Sequence, residues 1–265
     1  MVFNNTIFVF HIKKHNGGGI YLHPFKEFDK IIASGNPFQL EGRYGEEPVI
    51  ESITAFRNEL YRIIEDSVNN WVNESKFIPR FLISALVFLI AYFFFSFAIR
   101  DPVPMVDEII LGVISAVICY ILLGRKYRKT TTASKLRAHY RGVVDRIVFS
   151  KSNFVVALES FLIQINGKDV EDVIRNNGDY NELTELTSDE NTEERNQFLS
   201  YIDRLLKKQL SGHQRRLVNK IMMSIYKNAG LIKELDLISL TSEVDINLFI
   251  AYLLLRQKST KKTVY

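Results

Sequence analysis

The sequence has little cysteine, with Cys119 the only one among 265 residues. One cysteine excludes a disulfide within the chain and any zinc site that needs several cysteine ligands. Because Cys119 falls inside an apolar run, we interpret it as a small packing residue. The N-terminus also lacks a basic segment followed by an apolar stretch and a small-residue cleavage site, so we expect no cleavable signal peptide.

The sequence also lacks the motifs that mark common enzymes. It has no P-loop, no dinucleotide fingerprint, no Gly-x-Ser-x-Gly elbow and no His-Glu-x-x-His pair. The three glycines at 17–19 are typical of a flexible turn, since no Gly-Lys-Ser/Thr follows them. His11, His15 and His23 lie near one another, but a metal site would need a further ligand and a common face. We therefore predict no enzymatic activity, no cofactor and no metal site.

Charged residues are absent from two long stretches, residues 81–99 and 109–124. A helix rises about 1.5 Å per residue, so the first stretch covers most of a roughly 30 Å hydrocarbon layer. The alternative is a hydrophobic hairpin buried in a soluble core, but such a core seldom needs two adjacent runs this apolar. We predict transmembrane helices over residues 77–100 and 107–124.

The segment between the two runs predicts their pairing and their orientation. So short a link, residues 101–106, forces an antiparallel hairpin, and Pro102 and Pro104 end the first helix and start the second. The link is mainly acidic, whereas basic residues flank the other ends of both runs. The positive-inside rule then places the link outside and both termini in the cytoplasm. The simple layout favours a bacterial inner membrane.

Basic residues are concentrated directly after the second run. The chain has a formal net charge of +4 and a pI of about 9.0, which indicates nucleic acid or anionic lipid as a partner. Four residues of the cluster are predicted to contact lipid headgroups: Arg125, Lys126, Arg128 and Lys129. Because membrane orientation already explains this cluster, we predict the lipid bilayer as a partner and no nucleic acid.

Helices are predicted to continue from both runs into the cytoplasm. Residues 48–76 carry apolar residues at alternating steps of four and three, which is typical of a helix with one buried face. Residues 125–166 carry a heptad seam from Tyr140 to Ile165, with one polar break at Lys151. The two flanks are a stalk within one subunit or part of a bundle between subunits, and the period does not separate these interpretations.

The N-terminal region has a different character from the rest. Residues 1–47 are predicted to form a small cytoplasmic segment that contains β structure. Stretches rich in β-branched and aromatic residues flank the three glycines, which predicts a β-hairpin over residues 6–22. Asn36-Pro37 and the glycines at 42 and 45 predict loop before the first long helix.

The C-terminal region, residues 167–265, is predicted to be a cytoplasmic helical domain. It includes a short helix at 231–240 and an apolar stretch at 244–255, which is a helix buried in this domain or an interfacial helix on the inner leaflet. The predicted fold class is a mainly α membrane protein. A two-helix transmembrane hairpin is extended by cytoplasmic coiled helices, with a small N-terminal β-hairpin and a C-terminal helical domain.

Acidic residues at the outer end of the hairpin are the first candidate functional residues. Asp107 and Glu108 begin the second run, and Asp101 lies in the link. Acids in a first helical turn complement the helix macrodipole. In an oligomer the same residues would form a ring of carboxylates at a pore mouth, where they would concentrate cations.

Small residues on the second run are the second candidate set. They recur at steps of three or four, permit close approach of another helix, and are predicted to serve helix packing or pore lining. The set comprises Gly112, Ser115, Ala116 and Cys119. The phenylalanine-rich first run is then predicted to face lipid.

The order of elements over residues 48–165 resembles that of known two-span membrane proteins. It is similar in plan to two-span channel subunits such as calcium uniporters. The Trp-Asp-x-x-Glu-Pro signature of that family is replaced here by Pro-Met-Val-Asp-Glu at residues 104–108. The plan is also similar to the two-span effector modules of bacterial antiviral systems.

The leading functional hypothesis is a homo-oligomer whose hairpins form an ion-conducting, cation-preferring pore under the control of the cytoplasmic domain. Two spans cannot enclose a pathway alone, so conduction requires several copies of the chain. The alternative is a membrane-anchored scaffold or sensor, in which residues 166–265 bind a cytoplasmic protein or small-molecule regulator, or an antiviral-type effector without selective conduction. A lipid-acting enzyme is a third hypothesis, for which no catalytic residue can be named.

Overall fold

The computed structural model describes residues 5–14, 18–27, 38–98, 106–176, 180–226 and 245–262. Within them the protein is mostly helical, with a small N-terminal sheet. The strands are β1 (Asn5–Lys13), β2 (Gly19–Leu22), β3 (Phe38–Tyr44) and β4 (Val148–Lys151). The longer helices are α1 (Ile50–Ser75), α2 (Phe77–Ala98), α3 (Val106–Arg128), α4 (Thr131–Asp145), α5 (Asn153–Ile165), α8 (Thr192–Gln209), α9 (Gly212–Tyr226) and α10 (Ile246–Lys262). The short helices are α6 (Val170–Arg175), α7 (Asn181–Leu186) and a 3-10 helix (Pro24–Glu27).

The chain folds as two compact units. The first unit comprises residues 1–24, 37–56 and 147–265, and the second comprises residues 25–36 and 57–146. Helix α1 begins in the first unit and ends in the second. Most of the predicted N-terminal segment and all of the predicted C-terminal helical domain therefore belong to one unit rather than to two.

The sheet of the first unit has four strands in the order β2-β1-β3-β4. Strands β1 and β2 pair antiparallel with Phe10 opposite Leu22, so the predicted N-terminal β-hairpin is confirmed. Strand β3 lies parallel to β1, and β4 lies parallel to β3. Parallel neighbours need a long crossover connection. The crossover between β3 and β4 is the part of the chain that carries α1 to α4.

Strand β3 covers residues 38–44, where the glycines and the proline predict loop. That prediction is wrong, because Gly42 lies inside a paired strand and not in a turn. Gly42 lies opposite Phe149 of β4, and an added Cβ would stand 2.2 Å from Cδ1 of that ring. A glycine inside a strand marks such a close approach. Its neighbour Leu40 has the buried side chain expected of a strand, at 6% exposed.

The single helix predicted over residues 125–166 is also wrong. Strand β4 separates α4 from α5, and Ser152 caps α5 by accepting a hydrogen bond from the backbone N–H of Val155 at 3.4 Å. The apparent heptad seam therefore joins a buried stripe of α4 to a buried stripe of α5, which lie in different units. Its polar break, Lys151, is an exposed residue at the end of β4.

The core of the first unit lies between the sheet and helices α5, α8 and α10. The Phe10 ring of β1 is central, with centroids 6.0 Å from Phe154 and 6.2 Å from Phe198. Helix α10 is deeply buried, since residues 248–255 are 0 to 6% exposed. Within the apolar stretch predicted at 244–255, the helix from Ile246 onward is thus buried, and the interfacial alternative is wrong. The helix predicted at 231–240 lies outside the described residues.

The second unit contains two helical arms that run antiparallel: most of α1 followed by α2, and α3 followed by α4. The predicted helix at 48–76 is confirmed as α1, which passes into α2 with only Lys76 between them. Helix α4 pairs with α1, since Arg137 contacts Glu65 at 2.9 Å and donates to Oδ1 of Asn69 at 2.8 Å. The buried apolar residues of this stalk are Leu60, Ile64, Val68, Val72, Ala133, Tyr140, Val143 and Val144. The stalk seam is therefore covered within one chain.

Candidate functional site

Helices α2 and α3 are apolar along most of their length but are not buried in the chain. The spans Phe77–Phe97 and Val106–Arg128 have mean hydropathies of 2.1 and 2.3, and only 11% of the most apolar window of each is buried. A helix in the core of a soluble domain is mostly buried, as residues 248–255 of α10 are. By length and composition, α2 and α3 are candidate membrane spans.

The outward surface of this hairpin is apolar. Between Phe77 and Phe97 every exposed residue of α2 is apolar except Ser96, and between Ile109 and Leu122 every exposed residue of α3 is apolar. The exposed residues of α3 in this range are Ile109, Ile110, Val113, Ile114, Val117, Ile118, Ile121 and Leu122. Such a surface suits contact with lipid or with another apolar helix.

The small residues of α3 lie on its less exposed side. Gly112 is buried, and an added Cβ would stand 3.1 Å from the ring of Phe88 on α2. Ser115, Ala116 and Cys119 are half-buried, and the Ser115 hydroxyl donates to the backbone oxygen one turn earlier at 2.8 Å. At Gly112 this close approach is what helix packing requires, and lining of a pore by this set stays a prediction.

The acidic residues predicted at a pore mouth do not share one environment. Asp107 is exposed at the start of α3. Glu108 is only 3% exposed and lies one helical turn from Gly112, on the buried side of the helix. Asp101 lies outside the described residues. Glu108 is thus buried within the chain, whereas a carboxylate at a pore mouth is expected to be exposed.

The basic residues predicted to contact headgroups lie at the opposite end of α3. Arg125, Lys126 and Arg128 are exposed in its last turn, and Lys129 follows directly. Cations in a last turn complement the partial negative charge of a helix C-terminus. Their exposure leaves them accessible to an anionic surface.

Arg80 has a position in the structure that the sequence does not indicate. It is 5% exposed, and its guanidinium lies 4.0 Å from the ring centroid of Tyr120 on α3. It donates to Oδ1 of Asn73 at 3.1 Å and to the backbone oxygen of Tyr120 at 3.3 Å. Gly124 permits this approach, since an added Cβ would stand 2.5 Å from Nη2 of Arg80. The sequence shows Arg80 only as a positive flank of the first run.

A cavity opens beside Arg80, at the end of the hairpin that carries the basic residues. Its volume is about 450 Å³. The lining residues are Asn73, Glu74, Phe77, Arg80, Tyr120 and Arg128. The Arg128 guanidinium is 3.5 Å from the same Asn73 oxygen that accepts from Arg80, so two cations converge on one neutral amide.

The first unit has its own polar cluster where its parallel strands end. Arg43 of β3 contacts Glu194 of α8 at 2.8 Å and Glu41 at 2.6 Å. The Ser152 hydroxyl donates to the same Glu194 carboxylate. The carboxyl ends of parallel strands are the usual ligand edge of such sheets. Here Arg43 is paired with two carboxylates of the same cluster, so its charge is already satisfied within the chain.

Two titratable groups near this edge have shifted pKa values. Burial raises the pKa of the Glu159 carboxyl, although it accepts from the backbone N–H of Lys13 at 2.8 Å. Burial lowers the pKa of the His11 imidazole, whose Nδ1 has no hydrogen-bond partner among the described residues. Gly45 gives the Glu159 carboxylate room, since an added Cβ would stand 2.1 Å from its Oε2.

The described residues contain no group of three or more His, Cys, Asp or Glu side chains that could hold a metal ion. His15 of the histidine set lies outside them. In comparisons with known proteins, the chain matches no family model, no curated protein and no solved structure.

Proposed function

We propose that this chain is a two-span membrane protein in which α2 and α3 anchor the first unit at the cytoplasmic face of a bilayer. The observation that carries the proposal is the contrast between the two sides of the hairpin. Arg80 and Glu108 are on its buried side, whereas its exposed side is apolar. Lipid is the solvent that makes this distribution favourable, because polar groups at membrane depth must be satisfied inside the protein.

The proposed orientation has both termini in the cytoplasm. Arg125, Lys126 and Arg128 lie in the last turn of α3, and Lys76 precedes α2 at the same end of the hairpin. The opposite end of α3 begins with Asp107 and Glu108. The positive-inside rule favours the basic end on the cytoplasmic side.

We infer a scaffold or sensor role for the first unit, with a cytoplasmic protein or small-molecule regulator as its partner. The support is that a single chain already covers its own stalk seam through contacts such as Arg137 with Glu65. A bundle between subunits is therefore not needed to bury that seam. A membrane anchor is enough to explain the presence of α2 and α3, and no pore is required.

Extraction and labelling test the anchor. Membranes washed with alkaline carbonate should retain the protein. In sealed right-side-out vesicles of the Cys119→Ala background, a membrane-impermeant maleimide should label Val106→Cys directly. It should label Lys208→Cys, on the exposed surface of α8, only after detergent is added. Release by carbonate, or labelling of both positions from the same side, would overturn the proposal.

A homo-oligomeric cation pore is the second candidate function. It is favoured by one observation, the exposed carboxylate of Asp107 at the outer start of α3. Copies of Asp107 around a common axis would attract cations to a pore mouth. The apolar exposed surface from Ile109 to Leu122 counts against a polar lining.

Flux through proteoliposomes tests the pore. Potassium flux should exceed chloride flux for the wild-type protein, and Asp107→Asn should reduce that preference. Glu108→Gln is the matched control, since the neighbouring Glu108 is buried within the chain whereas Asp107 is exposed. If no flux occurs, or if both variants have the same effect, the pore proposal fails while the anchor proposal stands.

A further inference from the structure

Among the described residues, the guanidinium of Arg80 is a buried cation with no carboxylate in ion-pair contact. Its two hydrogen bonds go to neutral acceptors, the amide oxygen of Asn73 and a backbone oxygen of Tyr120. Its Nε is buried and has no hydrogen-bond partner in the part of the chain that the structure describes. A buried charge is normally paired with an opposite charge, so this position lacks an anion.

The cavity beside Arg80 has the charge and the size for that anion. Arg80 and Arg128 contribute two positive charges to the lining and Glu74 contributes one negative charge, which leaves one positive charge in excess. A phosphodiester carries one negative charge and presents oxygens that match the N–H fork of arginine. The volume of about 450 Å³ exceeds what a bare phosphate needs and accommodates a larger headgroup.

The placement of the cavity specifies the source of the phosphate. It lies at the basic end of the hairpin, where α1 passes into α2 and where the last turn of α3 carries Arg125, Lys126 and Arg128. Phe77, which also lines the cavity, is 52% exposed and offers an apolar surface to an acyl chain. Basic pockets between transmembrane helices on the cytoplasmic side are suited to phospholipid headgroups.

We propose that this cavity binds the phosphate of an anionic phospholipid from the inner leaflet, with the guanidinium groups of Arg80 and Arg128 as its donors. Tyr120 holds the Arg80 guanidinium against α3 through its ring, at 4.0 Å. Gly124 leaves the space that this position needs. The inference rests on the proposed membrane anchor and assigns to it one lipid site at a stated place.

Native mass spectrometry of the full-length protein in a neutral maltoside detergent tests this site. With phosphatidylglycerol added, the wild-type protein should retain bound lipid, and diacylglycerol with the same acyl chains should not be retained. Arg80→Gln should reduce retention about tenfold, as expected for losing one hydrogen bond to a charged group. Arg80→Lys should restore it only in part, because an ammonium lacks the planar fork.

Two further variants separate a specific site from general attraction. Arg128→Gln, at an exposed residue of the lining, should also reduce retention and does not depend on a buried residue tolerating substitution. Arg125→Gln is the control, since Arg125 is exposed in the same turn but does not line the cavity. Equal losses for Arg125→Gln and for the two cavity variants would overturn the proposal.

A competition arm distinguishes the two sources of phosphate. Inorganic phosphate at millimolar concentration should not displace phosphatidylglycerol from the wild-type protein. Displacement that depends on Arg80 would show a site for soluble phosphate and would overturn the assignment to lipid. Carbonate extraction tests the membrane anchor independently of this site. A protein that stays in membranes after extraction but retains no lipid would contradict the lipid site and leave the anchor proposal intact.

Discussion

Gln197 replaces a missing strand at the start of β1. Strand β2 pairs with β1 only from Phe10 onward, and no other described strand lies beside the earlier backbone groups on that edge. The Gln197 side chain of α8 accepts from the backbone N–H of Phe8 at 2.9 Å and donates to the backbone oxygen of Thr6 at 2.8 Å. One amide group thus makes both hydrogen bonds that a neighbouring strand would make.

Removing that amide should destabilise the first unit. Gln197→Ala leaves the Phe8 N–H and the Thr6 oxygen unpaired, which should cost about 1–3 kcal/mol of unfolding free energy. Urea unfolding followed by circular dichroism measures the loss. Gln164→Ala is the control, because Gln164 is exposed on α5 and its change should stay within about 0.5 kcal/mol. Equal values for the two variants would contradict a strand-like role for Gln197.

His11 should make the first unit sensitive to mild acid. Burial lowers the pKa of His11 below its ordinary value of 6.5. Above that pH both folded and unfolded states hold a neutral imidazole, whereas below it the unfolded chain binds the proton more tightly. Stability should therefore fall as the pH decreases from about 6.5 towards the pKa of the folded state.

The sign of this effect can be isolated with variants. Melting temperatures of the wild-type protein should decrease between about pH 7 and pH 5.5, and His11→Gln should flatten that decrease. Glu159, whose pKa is raised by burial, acts in the opposite direction but is common to both proteins. His213→Gln, at an exposed histidine, should keep the wild-type slope. If the melting temperature of His11→Gln depended on pH as steeply as that of the wild-type protein, groups other than His11 would cause the decrease.

Among the elements, α2 and α3 pack together through a small residue on α3. An added Cβ at Gly112 would already stand 3.1 Å from the Phe88 ring, so Gly112→Leu should push α2 and α3 apart. The single tryptophan, Trp71, lies on α1 within the second unit and reports on it. Titration with SDS should shift Trp71 emission at a lower SDS fraction for Gly112→Leu than for the wild-type protein.

A glycine of α4 gives the matched control for that experiment. Apart from the backbone of its own helical turns, no atom of the described residues lies within 4 Å of an added Cβ at Gly142. Gly142→Ala should therefore leave the SDS midpoint unchanged or raise it, since alanine favours helix by about 1 kcal/mol over glycine. If Gly112→Leu and Gly142→Ala move the midpoint alike, close packing at Gly112 does not hold the hairpin together.

The sequence predicts elements well where one physical cause dominates. The lengths of α2 and α3 follow from the absence of charge, and α1 follows from its apolar period. Prediction fails where two causes give the same pattern. The glycine at position 42 is typical of a loop, but here it lies in a strand and makes room for the ring of Phe149, which is far away in the sequence. The steps of four and three continue from α4 into α5, although β4 separates two unrelated buried stripes.

The candidate site shows the same limit at finer detail. Asp107 and Glu108 are adjacent acids, and sequence alone gives them one role. The helix turns by about 100° per residue, so one carboxylate is exposed and the other is enclosed. Arg80 gives no local signal at all beyond its charge. Its partners, Tyr120 and Gly124, are brought to it by the antiparallel return of α3.

For the whole molecule, the hairpin of α2 and α3 lies within the crossover between two parallel strands. Residues 57–146 leave the first unit after β3 and the start of α1, and the chain returns at β4. The C-terminal helices complete the core that begins with β1, since Phe10 packs on Phe154 and Phe198. Residues 166–265 therefore do not form a domain of their own, and a binding function assigned to them alone requires the N-terminal strands.

This topology predicts which fragments fold. Replacing residues 57–146 by a Gly/Ser linker of about 15 residues should give a soluble first unit with one cooperative thermal transition, because parallel neighbours need a crossover of at least about a dozen residues but not this particular one. Residues 166–265 alone should show no cooperative transition, since the core positions of Phe10 and Phe154 would be empty. Calorimetry of both proteins decides the matter. A cooperative transition in the 166–265 fragment would mean that the C-terminal helices hold a core without the sheet.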